Sequence, residues 1–200
     1  MSERSEFPHS LIPDEILAQA RELRREPGEY ITRAATPVEH FYVMGAGLAK
    51  LIYDAPDGEP LILDLYRQGD FFGEMEMVGV GYNDRSIVAM TECTLYEFSR
   101  EAFFRLWSAC PEFSLYVLRL HCQRLLRSGT DKIYAERLVL KEKVMHLIRL
   151  HGNELGYFPY TKDVLSEMAG VSIRSLSRTL AALKESGLIR ISKGTIRLLT

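Results

Sequence analysis

The sequence predicts an α+β protein with a β-rich N-terminal domain, a long middle helix and a helical C-terminal domain that ends in a β-hairpin. Three observations support this class. Between residues 30 and 98, apolar residues recur with period two and turn residues separate the runs, which indicates short strands. Residues 112–137 contain no proline, which favours one long helix that begins at Pro111. Beyond residue 160, two helical patterns precede an alternating segment of the hairpin type.

Composition and charge restrict the function classes. With 46% apolar and 26% charged residues, the chain has the composition of an ordinary globular protein. Residues 140–200 contain ten Lys and Arg against five Asp and Glu and carry +5, whereas residues 1–139 carry −7. A basic C-terminal region is typical of a domain that neutralises phosphates. The N-terminus lacks the apolar segment of a signal peptide and no run could span a bilayer, so we expect a cytoplasmic protein without a membrane partner.

Residues that could support catalysis or metal binding are sparse. Cys93, Cys110 and Cys122 are widely spaced, which argues against a disulfide framework and a conventional zinc or iron–sulfur site. Glu74 and Glu76 stand two apart on a presumed strand, where they could act as acid and base, but paired carboxylates beside a turn are commonplace. We therefore expect no enzyme, no catalytic residue and no metal site.

The first two structural regions follow from local pattern. Residues 11–26 have apolar residues at helical spacing between a Pro13-Asp14 start signal and a Pro27-Gly28 stop, which predicts a short helix. Five strands are then expected at 41–44, 48–53, 61–66, 87–90 and 94–98, with turns at 45–47, 57–58, 68–70 and 83–84. Short strands at such spacing predict an antiparallel sandwich or barrel.

The long helix carries a narrow apolar seam. Its members alternate spacings of three and four: Leu115, Leu118, Cys122, Leu125 and Gly129. A seam of this kind favours a parallel contact between two copies of the helix, and a glycine lets the two backbones approach closely. Packing of the helix on its own β domain is an alternative, and both hold if different faces are used. The seam loses its apolar character at Lys132, so residues 131–140 are the predicted hinge.

The segment from Thr161 to Arg178 contains two helix starts. Thr161 and Ser172 each precede an apolar-periodic run as hydroxyl N-caps, and Gly170 marks the turn between the helices. The free face of the second helix carries four polar residues: Arg174, Ser175, Ser177 and Arg178. Arginine bonds guanine bidentately and serine binds a phosphate oxygen or a base edge, so this pattern predicts a helix-turn-helix with its second helix in a major groove. An ordinary αα-hairpin is the alternative.

A β-hairpin after the second helix favours the DNA-binding interpretation. Residues 188–191 and 195–198 alternate apolar and polar around a Ser192-Lys193-Gly194 turn, which predicts the wing of a winged helix. At the wing tip, Ser192 and Lys193 would reach phosphate. Residues 140–151 form the predicted first helix of this domain.

Several motifs together carry a family resemblance. They are Gly28-Glu29, Gly45-Ala46-Gly47, the hexapeptide GDFFGE at residues 69–74 and the helix-turn-helix. In this order, from about Arg25 to Ile196, the chain resembles the Crp/Fnr family of bacterial transcription regulators, and residues 73–77, 85–86 and 91–93 look most like its YeiL-type branch. The resemblance implies a jelly-roll effector domain of the cyclic-nucleotide-binding type at 1–109, a dimerisation helix and hinge at 110–137 and a winged helix-turn-helix at 138–200.

The resemblance also implies an effector pocket. Family members that bind cyclic nucleotides use a Gly-Glu pair for the ribose, which Gly73 and Glu74 match. Arg85 and Ser86 resemble the pair that holds the cyclic phosphate, but alignment through the following strand places that pair opposite Asn83-Asp84. Where the family has Thr-Ser for the purine, this chain has Ser128 and Gly129. We therefore expect that cyclic AMP is not the effector, and another small ligand or no effector stays open. No cysteine precedes Cys93, so no iron–sulfur cluster is expected.

For DNA, the resemblance implies specific positions. Ser177-Arg178 matches the part of the recognition helix, residues 172–186, that bonds guanine, whereas Arg174 replaces a glutamate that accepts from cytosine and so contacts either a guanine or phosphate. The phosphate contacts implied by family position are Lys162, Ser172, Ser175 and Ser192. The implied partners are duplex DNA with a near-palindromic operator, a second copy and RNA polymerase. The alternative function is a ligand-binding or protein-interaction module of the same fold without specific DNA binding.

Overall fold

The computed structural model describes residues 11–54, 60–81, 84–137, 139–192 and 194–199, with only the backbone at 54, 127 and 129–137. Four of the predicted features lie outside this description: the turn at 57–58, Asn83, the wing-tip Lys193 and the side chains of most of the hinge. The chain divides into two compact units, Met1–Cys122 and Gln123–Thr200. The predicted domain boundaries at 109 and 137 and the hinge stay predictions.

The first unit contains two antiparallel β-sheets. Its strands are β1 (Arg21–Arg25), β2 (Tyr30–Thr32), β3 (His40–Ala46), β4 (Leu48–Asp54), β5 (Pro60–Arg67), β6 (Phe71–Phe72), β7 (Arg85–Ala89) and β8 (Cys93–Ser99). One sheet has the order β1-β8-β3-β6 and the other β2-β7-β4-β5. The apolar faces of their strands alternate with half-buried or exposed positions, as in β8. This arrangement confirms the α+β class and the jelly-roll domain, with all five predicted strands present.

The predicted helix over residues 11–26 is wrong beyond Leu17. Helix α1 covers only Asp14–Leu17, and residues 21–25 form the edge strand β1 instead. Leu23 is opposite Leu95 of β8 and packs partly buried against the core, while the charged residues on either side of it remain exposed. Pairing with β8 gives this short charged segment backbone hydrogen bonds and one buried contact, and tertiary context therefore overrides the helical spacing.

Helices complete the first unit. They are α2 (Glu74–Met77), α3 (Arg100–Ala109) and the beginning of α4 (Pro111–Arg137). Glu74 and Glu76 lie on α2, so their expected position on a strand is wrong. Helix α3 begins at Ser99, whose Oγ accepts a hydrogen bond from the Ala102 amide at 3.2 Å. Sequence analysis missed both α3 and α2.

Helix α4 packs on its own jelly roll along one face. Phe113 and Val117 are buried in the core that also contains Phe41 and Phe103. The Tyr116 hydroxyl donates to the Gly69 carbonyl at 2.9 Å. Leu115 and Leu118 point away from this core and are exposed. The helix therefore packs on its own domain with one side and leaves the predicted seam open on another.

A buried carboxylate joins three strands of the first sheet. Glu97 on β8 accepts a hydrogen bond from Arg21 Nε at 2.7 Å and lies 4.0 Å from His40 Nδ1. Burial, and then the charge and hydrogen bond of Glu97, raise the pKa of Tyr42 to about 12. The network therefore keeps the Tyr42 phenol protonated well into the alkaline range.

The raised pKa predicts a loss of stability at alkaline pH. Unfolded tyrosine releases its proton near pH 10, whereas the pKa of Tyr42 in the fold is about 12. The protonated Tyr42 phenol therefore makes its full contribution to the free energy of unfolding below pH 10. This contribution, about 2–3 kcal/mol, is lost as pH rises to 12. Urea unfolding of the wild type and Tyr42→Phe from pH 8 to 12 measures it. The variant should lose less stability over this interval, and an equal loss in both proteins would contradict the assignment.

The second unit is a winged helix-turn-helix. Its elements are α5 (Leu140–His151), β9 (Tyr157–Phe158), α6 (Lys162–Ala169), α7 (Ile173–Glu185), β10 (Ile189–Ser192) and β11 (Thr195–Leu198). The three strands form one antiparallel sheet in the order β10-β11-β9. The buried core consists of side chains from all three helices and from the sheet: Val144, Ile148, Leu165, Met168, Leu176, Leu180, Leu183, Phe158, Ile189 and Ile196. The predicted helices and wing are confirmed, and β9 was missed.

Candidate nucleic-acid interface and effector pocket

The helix-turn-helix geometry depends on three residues that the sequence singled out. Thr161 Oγ1 accepts from the Val164 amide at 3.3 Å, and Ser172 Oγ accepts from the Ser175 amide at 3.3 Å. Each hydroxyl satisfies a backbone donor that the first helical turn leaves unbonded. Gly170 ends α6 at a φ of 64°, in the left-handed region that suits glycine. These local features set the turn between α6 and α7.

The exposed face of α7 carries the predicted base-reading residues. Arg174, Ser177 and Arg178 are all exposed near the N-terminal end of the helix, whereas Leu176 and Leu180 on the opposite side are buried. Guanidinium and hydroxyl groups on the free side of a helix start have the donors required for base edges and phosphates. The structure brings these three residues to one surface.

The predicted phosphate contacts lie around this face. Lys162 is half-buried in the first turn of α6, and Ser172 is exposed at the start of α7. Ser175 is half-buried, and its backbone carbonyl accepts a hydrogen bond from Thr179 Oγ1 at 3.1 Å. Ser192 is exposed at the end of β10. Their roles stay predictions.

A cavity of about 80 Å³ opens in the jelly roll beside α2. Three of the predicted ligand residues line it, namely Gly73, Glu74 and Arg85. The remaining lining residues are Thr32, Arg33, Thr36, Val38, Leu51, Tyr66, Phe72, Met75, Glu76 and Ile87. The lining of the cavity therefore combines apolar side chains with two arginines and two glutamates.

Two predicted ligand residues do not line this cavity. Ser86 is buried, and its Oγ accepts a hydrogen bond from the Ala34 amide at 3.0 Å. That contact ties β7 to the segment that follows β2. Ser128 lies on α4 in the second unit and is exposed there.

Neighbouring side chains contact the two central pocket residues. Glu74 is 5% exposed, and its Oε1 lies 3.2 Å from His121 Nε2 on α4. The His121 ring stands edge-on to Phe71 at 5.9 Å between centroids. Arg85 Nε lies 3.5 Å from Asp84 Oδ1. An acidic side chain thus accompanies the guanidinium that a phosphate would use, as the sequence at positions 83–84 indicated.

Sequence analysis missed Arg33 as a pocket residue. Its guanidinium carbon lies 3.8 Å from the centre of the Tyr30 ring, and the side chain lines the same cavity as Arg85. Residues 30–32 form β2, which pairs with β7 and brings position 33 to the pocket rim. An arginine three residues after a tyrosine carries no recognisable sequence signal by itself.

Gly73 is sterically required, which predicts a large effect of an alanine. Its φ is +88°, and an added Cβ would stand 2.2 Å from the His40 carbonyl oxygen. We expect Gly73→Ala to destabilise the protein by about 3 kcal/mol or more, of which backbone strain accounts for about 1–3 kcal/mol. Gly79 has a similar φ of +82° with nothing within 4 Å, so Gly79→Ala is a matched control for strain alone. Urea unfolding measures both, and equal losses would show that the contact with His40 relaxes.

The predicted seam is exposed in the single chain. Leu118 and Leu125 are 55% and 75% exposed, Leu115 and Cys122 are exposed as well, and Gly129 lies where only the backbone is described. Large apolar side chains in one exposed row on a helix indicate a contact surface. No described helix is both long and apolar enough to cross a membrane. Across the described part of the chain, no three His, Cys, Asp or Glu side chains are grouped so that they could hold a metal ion.

Comparison with known proteins assigns both units. The cyclic nucleotide-binding domain family matches residues 22–110, and the Crp-like helix-turn-helix domain family matches residues 142–200. The chain belongs to the Crp/Fnr family. It is a DNA-binding transcription regulator, and the family comprises regulators rather than enzymes. Assignment to the YeiL-type branch stays a prediction.

Relatives of this Crp/Fnr regulator span nearly its whole length. The cyclic AMP receptor protein of Thermus thermophilus is 28% identical over 193 residues, which are 94% of this chain and 89% of the relative. The CRP-like cAMP-activated global transcriptional regulator of Mycobacterium tuberculosis is 27% identical over 174 residues, or 82% and 77% of the two chains. The c-di-GMP-responsive global regulator CLP of Xanthomonas campestris has the same fold, with a TM-score of 0.81 at 20% identity over 94% of this chain and 97% of its own.

Proposed function

We propose that this regulator acts in the cytoplasm as a homodimer and binds a near-palindromic operator with the recognition helix, residues 172–186, of each copy in a major groove. The observation that carries the proposal is the exposed row of Arg174, Ser177 and Arg178 on a helix capped at Ser172. Arginine bonded to guanine is the commonest base-specific contact in protein–DNA complexes. The net charge of +5 over residues 140–200 favours a polyanion such as duplex DNA over a neutral or basic partner.

The seam of α4 supports dimerisation. Leu115, Leu118 and Leu125 are exposed along the helix at alternating spacing, and Cys122 continues the row between them. Burial of three leucines against a second copy removes apolar surface that water would otherwise solvate. A parallel pair of helices related by a two-fold axis also gives two recognition helices, which matches an operator with two half-sites about one helical turn apart.

An effector of the jelly-roll pocket would be a small ligand other than cyclic AMP, and regulation without an effector stays the alternative. Gly73, Glu74 and Arg85 fit the ribose and phosphate positions of a cyclic nucleotide only in part, because Ser86 does not line the cavity and the Asp84 carboxylate lies beside Arg85. The cavity of about 80 Å³ is smaller than the ~300 Å³ at which small-molecule sites begin, so its size favours a ligand smaller than a nucleotide over cyclic AMP. The two relatives described above are named for cyclic AMP and the structural neighbour for c-di-GMP, so effectors differ among proteins of this fold. RNA polymerase is the further partner we propose from the family.

Selection of bound sequences from a random duplex pool, with and without a small-molecule cell extract, tests the proposal. We expect an enriched near-palindrome and, with an effector, enrichment that depends on the extract. The alternative is a ligand-binding or protein-interaction module of this fold without specific DNA binding. If this alternative is correct, no sequence is enriched from the pool and duplex DNA shows no salt-dependent shift with the protein. That result would refute the proposal.

A further inference from the structure

The charged side chains that line the jelly-roll cavity come from two separate parts of the fold. Glu74 and Glu76 both lie on α2. Arg85 is the first residue of β7, and Arg33 directly follows β2, which pairs with β7. One helix therefore supplies both carboxylates, and one pair of strands supplies both guanidinium groups. The lining has an acidic part and a basic part, with equal numbers of charges.

An apolar row crosses the sheet at the same cavity. Ile87 of β7 is directly opposite Leu51 of β4. Tyr66 of β5 pairs with Ala49, two residues from Leu51, so the Tyr66 ring lies on the same face and diagonal to Leu51. The Phe72 ring contacts Tyr66, with 5.1 Å between the ring centroids. All members of the row except Ala49 line the cavity, which therefore offers a surface for an apolar group.

A ligand with charge of only one sign would be opposed by half of the charged lining. An anion attracted to the two guanidinium groups also meets the carboxylates of α2, and a cation attracted to those carboxylates meets the guanidinium groups. Such opposition is strongest where little water screens the charges. A ligand that carries one positive and one negative group matches both parts of the lining, because complementary charges then face each other.

The contacts around the cavity preserve this balance of charge. Glu74 Oε1 lies 3.2 Å from His121 Nε2, and Arg85 Nε lies 3.5 Å from Asp84 Oδ1. One group of each sign therefore has a neighbour outside the lining with which it can pair. The other arginine, Arg33, is exposed with its guanidinium over the Tyr30 ring, where the planar fork can still bind an anion.

The size of the cavity restricts the class of ligand further. A volume of about 80 Å³ holds only a molecule that is small compared with ordinary small-molecule ligands. Carboxylates bind guanidinium groups bidentately, and an ammonium group donates hydrogen bonds to carboxylates. An α-amino acid joins a carboxylate, an ammonium group and a side chain at one carbon, so it presents both charges within the smallest volume. An apolar side chain would complement the row that includes Ile87 and Tyr66.

We propose that the jelly-roll cavity binds a small apolar α-amino acid as its effector. Arg33 and Arg85 bind the carboxylate of this ligand. Glu74 and Glu76 accept hydrogen bonds from its ammonium group, and the apolar row contacts its side chain. The inference rests on the proposed role of the cavity as an effector site and names the class of ligand. It also gives Arg33, for which the sequence carried no signal, a role in ligand specificity.

Isothermal titration calorimetry on the full chain without DNA tests this proposal with matched probes. The probes are L-alanine, L-valine and L-leucine, each compared with the two analogues that lack one charged group. For L-valine these analogues are isovalerate, which has no ammonium group, and isobutylamine, which has no carboxylate. At least one amino acid should bind in the micromolar to millimolar range. Both of its analogues should bind about 10–100-fold more weakly, because each lacks the contacts of one charged group.

Two single variants assign the two parts of the lining. Arg33→Gln should weaken binding of the amino acid by about 10-fold or more and should not weaken isobutylamine, because that probe has no carboxylate. Glu76→Gln should weaken the amino acid likewise and should not weaken isovalerate. The control is Arg24→Gln, since Arg24 is an exposed arginine of the same unit that contacts Glu22 at 3.2 Å and does not line the cavity. The control should bind all probes as the wild type does.

The probes also define the results that would overturn the inference. Failure of all three amino acids to bind at millimolar concentration would refute it. Isovalerate or inorganic phosphate that bound as tightly as L-valine would identify an anion site instead, and equally tight isobutylamine would identify a cation site. Loss of amino-acid binding in the Arg24→Gln control to the same extent as in Arg33→Gln would show that overall charge, and not the lining, is responsible.

These outcomes are independent of the DNA-binding function. Calorimetry without DNA measures only the ligand, so a negative result leaves an enriched operator from the duplex pool intact. Conversely, amino-acid binding together with a pool that stays random would support the cavity assignment and refute specific DNA binding.

Discussion

Replacement of two seam leucines by aspartate, Leu118→Asp/Leu125→Asp, is expected to yield monomers and to reduce operator affinity by about 10²–10⁴-fold. Both side chains are exposed in the single chain, so each copy should still fold. In a parallel pair, four carboxylates would meet across the two-fold axis where apolar side chains otherwise pack. A monomer can engage only one half-site at a time, and it therefore forgoes the gain of about 10²–10⁴-fold that linking two recognition helices provides.

Sedimentation equilibrium and anisotropy on the selected operator measure this effect. Leu126→Asp is the matched control, because Leu126 lies on the same helix, is 73% exposed and is one residue away from the seam position at 125. The control should remain dimeric and bind as the wild type does. A dimeric seam variant, or a Leu126→Asp protein that dissociates while the seam variant does not, would show that a different face of α4 holds the copies together.

The second large effect is expected at the recognition helix. Arg178→Ala should weaken operator binding by about 1–3 kcal/mol, or roughly 5–150-fold, and should relax sequence preference at one base pair of each half-site. The physical reason is that a bidentate arginine–guanine contact distinguishes guanine from every other base, whereas a phosphate contact does not. The exposed position of Arg178 near the start of α7 makes such a contact geometrically accessible.

Selection from the same duplex pool with wild-type and variant protein measures both the operator affinity and the sequence preference. Lys184→Ala removes an equal charge from the last turn of α7, at the other end of the helix. It should lower affinity less and leave the preferred sequence unchanged. If Arg178→Ala retained wild-type affinity and preference, the recognition helix would be docked in a different way from that proposed here.

Most of the second unit could be predicted because its signals are local. A hydroxyl N-cap accepts a hydrogen bond from an amide three residues away, and a glycine in the left-handed region ends its own helix. The roles of Thr161, Ser172 and Gly170 can therefore be predicted from neighbouring residues alone. Five of the eight described strands of the jelly roll were predicted for a similar reason, because apolar and polar residues alternate within each of them. The short charged strand β1 was missed because its single inward residue, Leu23, also fits a helical spacing.

The two apolar faces of α4 show where local signals stop being sufficient. Spacing identified Leu115, Leu118 and Leu125 as a row, but Phe113 and Val117 form a second apolar face on the same helix. Both faces are compatible with packing on the jelly roll. Only contact with the core around Phe41 and Phe103 decides that the second face is internal, which leaves the first exposed.

The sequence by itself determined the order of the domains, the capped helix pair with Arg174 and Arg178 on its free side, and the apolar seam, because each depends on residues within a few turns of one another. The tertiary structure decided which side chains form the effector pocket. Arg33 and Arg85 line one cavity only because β2 pairs with β7, and Ser86 is withdrawn from it by a hydrogen bond to Ala34, 52 positions away. Contacts between distant segments depend on how strands pair, and no local spacing records that pairing.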